Sequence, residues 1–85
     1  MIRTIWLEEE EEWYFSVKDV VTILTETTNA KDYISKMRRR DDELSKGWGQ
    51  IVHPLTIQTP GGLQKENCAN LEGFFRIIQR SSAVS

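Results

Sequence analysis

The chain has one cysteine, Cys68, and one histidine, His53, among its 85 residues. A single cysteine forms no internal disulfide and fits a reducing compartment, and zinc would need further ligands that the chain does not supply. His53 stands beside Pro54 with no cysteine or carboxylate cluster near it in sequence, which favours an ordinary strand residue over a metal ligand or general base. No apolar run approaches the roughly 20 residues of a membrane-spanning helix. The opening MIRTIWLEEEEE puts five glutamates where a signal peptide would carry its apolar stretch, so the expectation is a cytoplasmic protein without a membrane segment. Gly61-Gly62 is too short to be a phosphate-cradling loop, and no nucleophile and base stand in a recognisable arrangement. The expectation is therefore a protein that is not an enzyme, with no cofactor and no metal.

What is present suits one small folded domain. Hydrophobic residues make up 39% and charged residues 28%, ordinary globular usage. At this length the core is marginal, because small domains bury a smaller share of their surface. The formal net charge is -2, yet Glu8–Glu12 alone carry five negative charges. Outside that run, 11 basic side chains stand against 8 acidic ones, a net of +3. The acidic run has a solvated turn as its simplest explanation, since like charges repel and stay wet. A metal or basic-partner site is the functional alternative.

Residues 47–70, GWGQIVHPLTIQTPGGLQKENCAN, organise the rest. Ile51, Val52, Leu55 and Ile57 form one extended segment, Thr59-Pro60-Gly61-Gly62 the turn, and Leu63 to Cys68 the return. This predicts a β-hairpin in which Pro54 pushes the first strand to an edge or bulge. Upstream, Ile2 to Leu7 and Trp13 to Phe15 predict a second hairpin around the glutamates. Ser16 caps a helix over Val17 to Leu24, with Val17, Val20, Val21 and Leu24 on one apolar stripe. Ala30 to Leu44 predicts a second helix, buried through Tyr33, Ile34, Met37 and Leu44 and ended by Gly47 as a C-terminal cap. Its i,i+4 ion pairs are Asp32 with Lys36, Arg38 with Asp42, and Arg39 with Glu43. Asn70 caps a third helix whose expected buried face is Leu71, Phe74, Phe75 and Ile78. The expected fold is α+β: a small antiparallel sheet from two β-hairpins with about three helices packed on it. Residues 1–80 form the single domain and 81–85 a frayed tail.

Lys36, Arg38, Arg39, Arg40 and Lys46 form the leading candidate nucleic-acid surface, because successive Arg and Lys on a helix can neutralise phosphates. A salt-bridged solvent face is the alternative, since three consecutive arginines spread over more than half the helix circumference. Arg76 and Arg80, one turn apart, are second-tier candidates. Trp6, Trp13 and Trp48, with Tyr14 and Phe15, could stack on bases but are better explained as core. Cys68 is better explained as a small buried hydrophobe than as a nucleophile.

The ordered combination W-Y-F-S-x-x-D-V-V, a Tyr-bearing basic helix, G-W-G-Q-I-V and N-C-A-N-x-E-G-x-x-R-I-I-Q resembles the Bro-N domain of prophage antirepressor and BRO-family proteins. The resemblance covers about Ile2 to Gln79. It implies a bacterial or prophage-encoded, DNA-associated transcription regulator that binds double-stranded DNA. The alternative is a protein-binding antirepressor that captures a phage repressor without touching DNA, through the hairpin edge or the acidic tip. A homo-oligomer remains open under either alternative.

Overall fold

A computed structural model describes residues 2–82. β-Branched and aromatic residues open the chain as strand β1 (Thr4–Leu7), which turns through the glutamates into β2 (Glu12–Ser16). The two pair antiparallel from Thr4↔Phe15 to Leu7↔Glu12. All five glutamates are exposed, and three accept side-chain hydrogen bonds. Glu8 accepts from the Trp6 indole N–H, Glu10 from the Tyr14 hydroxyl and Glu12 from the Asn70 amide.

Helix α1 (Val17–Thr25) starts where expected, with the Ser16 hydroxyl accepting from the Asp19 N–H. Val17 and Val21 are buried and Val20 packs beside them, but Leu24 at the C-terminal end is exposed. Arg3 ties the start of β1 to this helix. Its Nε and Nη2 donate to the Asp19 carboxylate at 2.8 and 3.0 Å, and its Nη1 donates to Glu66 at 3.1 Å.

The second predicted helix is two. Helix α2 (Ala30–Arg40) stops at Asp41, and α3 (Asp42–Ile51) begins directly after it. Asp41 serves both ends: its backbone N–H bonds to the Met37 carbonyl, and its side chain accepts from the Leu44 N–H at 3.1 Å. Gly47 is therefore not a helix terminus. It lies inside α3, and Trp48 one residue on is a buried core residue. Ile51 ends α3 and Val52 caps it, so the following strand starts later than its apolar pattern suggests.

Strands β3 (His53–Thr59) and β4 (Gly62–Ala69) form the second hairpin, closed by Pro60-Gly61 with Thr59↔Gly62 as the last pair. Gly62 takes φ +112°, a conformation that L side chains rarely adopt. The sheet order is β1-β2-β4-β3, which puts Pro54 on an edge strand, as its missing N–H requires. The two hairpins meet through only two residue pairs, Phe15↔Ala69 and Ser16↔Cys68.

Helix α4 (Leu71–Ser82) follows, with the Asn70 side chain accepting from the Gly73 N–H at 2.9 Å. The expected tail thus begins as helix, and its remaining residues, 83–85, lie outside the described ones. The helix's buried face is Gly73, Phe74 and Ile77; Leu71 and Phe75 are 75% and 61% exposed. Gly73 sets that face, because a Cβ there would stand 2.6 Å from the Ile51 methyl and 3.1 Å from the Ile51 carbonyl oxygen.

The main core gathers Val17, Val21, Met37, Leu44, Trp48, Ile51, Phe74 and Ile77 from all four helices against Ala69 and Phe15 of the sheet. A smaller cluster, Tyr14, Ile57 and Cys68, packs with Ile5, Leu7 and Leu55. These side chains alternate with the first set along the strands, so they occupy the other face of the sheet. Among the aromatic candidates Trp48 and Tyr14 are core and Phe15 packs against it. Trp6 and Trp13 are exposed and stack edge-to-face, 5.4 Å between centroids. The α+β architecture stands, with four helices among the described residues where about three were expected.

Candidate nucleic-acid interface

Helix α2 sorts its own charges by geometry. At 3.6 residues per turn, Lys31, Ser35 and Arg38 lie on one flank of the buried Met37 line, with Arg39 beside them. Lys36 and Arg40 fall on the other flank. The break at Asp41 redirects the chain after Arg40, and neither arginine pair expected across it forms. Asp42 instead pairs with Lys46 at 3.2 Å, and Glu43 accepts from Arg80 at 2.6 Å.

The seven candidate cations therefore separate into two sets. Lys36 pairs with Asp32 at 3.0 Å, as expected, and Lys46 with Asp42; both pairs are exposed i,i+4 contacts. Such pairs contribute roughly 0.2–1 kcal/mol, little enough for a phosphate to displace the carboxylate. Arg76 pairs with Glu72 at 3.4 Å on α4. Arg80 bridges Asp41 and Glu43, tying α4 to the α2–α3 corner. Arg76 and Arg80 line a groove between α3 and α4 that shares no residue with the α2 flank.

Arg38, Arg39 and Arg40 have no ion pair among the described residues, nor do Lys31 and Lys65. Arg38 is the most constrained of them. Its guanidinium lies 4.8 Å from the centre of the Trp48 ring, a cation–π contact that connects α2 to α3. Its Nε is buried and has no hydrogen-bond partner among the described residues. An orphaned buried donor costs about 1–3 kcal/mol, so the stacked position is held by packing against Trp48 and not by hydrogen bonds at Nε.

Beside Arg38 a cleft of about 410 Å³ opens between β4 and helices α1, α2 and α3. Lys18, Lys31, Arg38 and Lys65 line it, with Glu66 its one carboxylate and Trp48 the aromatic in its wall. Lys18, Lys31 and Lys65 lie far apart in sequence, and only the packing of α1 and α2 against β4 brings them together. The i, i+4, i+7 spacing of Lys31, Ser35 and Arg38 was the one signal available in the sequence.

The other chemical candidates have ordinary roles. His53 packs edge-to-face on Tyr14 with centroids 6.0 Å apart. Cys68 is fully buried, and burial with the nearby Glu66 charge pushes its thiol up to about 11. No cluster of three or more metal-ligating side chains occurs among the described residues, and no helix among them is long and apolar enough to cross a membrane.

The chain as a whole, and not the basic flank alone, defines its class. The family described as BRO family, N-terminal domain (Bro-N) matches residues 1–84. The chain is a member of the Bro-N family. At the level of the family, membership supports a BRO-type DNA-binding regulatory domain. Comparisons with curated proteins and with solved structures found no significant match.

Proposed function

We propose that this domain is a non-enzymatic, transcription-regulatory module that binds double-stranded DNA through the solvent-facing cations of α2. The observation that carries the proposal is the group of cations without carboxylate partners, Lys31, Arg38, Arg39 and Arg40 on α2 with Lys65 on β4, in a chain whose other candidate cations are paired. Phosphate contacts dominate the affinity of such a surface, and each contact adds about 0.9 to the slope of log K against log salt. Lys36 and Lys46 join at little cost, whereas Arg80 serves the fold.

Fluorescence-anisotropy titration against mixed-sequence duplex DNA at low and moderate salt tests this. Salt-sensitive binding that disappears when Arg38, Arg39 and Arg40 are replaced by Glu is the expected result. No binding even at low salt would overturn it for this chain.

A second reading, capture of a phage repressor protein, is favoured by one observation: α4 exposes Leu71 and Phe75 one turn apart. Exposed apolar surface of this kind suits a protein partner. The triple Glu variant would spare that activity.

A further inference from the structure

We infer that the cleft between β4 and helices α1, α2 and α3 is a seat for a single phosphate group. The inference deepens the nucleic-acid reading and rests on it for the source of the phosphate, a DNA backbone. Four cations line the cleft against one carboxylate, and that carboxylate is already engaged. Glu66 takes Arg3 at 3.1 Å and Lys18 at 3.8 Å, which leaves the charge of Lys31, Arg38 and Lys65 uncompensated.

The space itself is a product of topology. Strand β2 leaves the sheet after Ser16↔Cys68 and continues as α1, so β4 has no strand neighbour beside Lys65, Glu66 and Asn67 on that side. The cleft occupies this gap. Its cations come from α1, α2 and β4 and so approach from different sides. A tetrahedral phosphate offers oxygens in three directions, whereas a planar carboxylate offers two in one plane. Ser35 and Asn67 line the same walls with neutral hydrogen-bonding groups. Arg38 is fixed against Trp48, with Nε sealed, so the terminal guanidinium nitrogens are its means of meeting a ligand. At about 410 Å³ the cleft admits a phosphate with its sugar, the scale of a small-ligand site, and not a stacked duplex.

The test uses the whole chain and follows the Trp48 indole N–H and the amides of Ser35, Arg38 and Asn67 by NMR. Inorganic phosphate, thymidine 5′-monophosphate and duplex DNA are titrated separately and then in competition. Saturable shifts at these positions with phosphate and the nucleotide are expected, displaced by DNA and weakened at least tenfold in a Lys31→Gln/Lys65→Gln variant. Both lysines are exposed, and the dispersion of the variant's spectrum checks that it folds. Arg76→Gln should leave the shifts unchanged. DNA binding without any saturable phosphate shift at the cleft would overturn the seat and leave the DNA reading standing. A phosphate shift with no DNA binding would keep the seat, assign it to a free nucleotide and overturn the DNA source.

Discussion

Replacing Asp41 by alanine removes two anchors of the α2–α3 corner at once. The side chain accepts from the Leu44 N–H at 3.1 Å and pairs with Arg80 Nε at 3.3 Å. Loss of an N-cap costs about 1 kcal/mol. A partly exposed ion pair contributes about 0.5 kcal/mol. The sum is about 1.5 kcal/mol, which for a domain of this size corresponds to a melting point lower by about 6–12 °C. Asp41→Asn keeps the cap, because asparagine is an equally good N-cap, and loses only the charge. Its expected cost is about 0.5 kcal/mol, or about 2–4 °C. Thermal unfolding followed by far-ultraviolet circular dichroism at pH 7 separates the two variants. An Asn variant as damaged as the Ala variant would show that the charge, and not the cap, holds the corner. An Ala variant melting with the wild type would show that Asp41 does not hold the break.

Neighbouring phenylalanines should differ sharply: Phe74→Ala is expected to cost about 3–5 kcal/mol, and Phe75→Ala to stay within about 0.5 kcal/mol, by denaturant unfolding. With its thiol pushed up to about 11 and fully buried, Cys68 should resist a disulfide reagent at pH 8 in the folded protein and react once denaturant is added. Burial pushes the Asp19 carboxyl up, but the hydrogen bonds and charge of Arg3 more than reverse this and hold it below the usual carboxylate range. A lowered folded pKa gives stability that is present above the unfolded value of about 3.9 and is lost as pH falls through the folded one. Acid unfolding curves should therefore be shallower below about pH 4 for Asp19→Asn than for the wild type, and equal slopes would remove Asp19 from the acid response.

Both hairpins, the turn at Pro60-Gly61 and the caps at Ser16 and Asn70 were legible, because each depends on residues adjacent in sequence. The α2–α3 break was not. Asp41 sits in a run of charges that supports a continuous helix, and an aspartate suits a helix surface as well as a cap. Its capping role depends on Leu44 and Trp48 turning into a core built by distant residues. The face of α4 was hidden for a similar reason. Phe74 and Phe75 are equivalent in pattern, and what selects between them is Gly73 lying against Ile51. For the candidate interface, the Asp32–Lys36 pair was readable as an i,i+4 contact. The partners of Asp42 and Glu43 followed the break and changed with it. Helical spacing relates Lys31 to Arg38, but the gathering of Lys18 and Lys65 beside them is tertiary, and no local pattern announces it.

The most direct test of the account is an amide chemical-shift map of the chain titrated with a short duplex DNA. The account predicts perturbations concentrated at Lys31, Ser35 and Arg38 to Arg40 on α2 and at Lys65 to Asn67 on β4, weakening together as salt rises. Perturbations centred on the Glu8–Glu12 tip or on α4 around Leu71 and Phe75, with α2 silent, would contradict it.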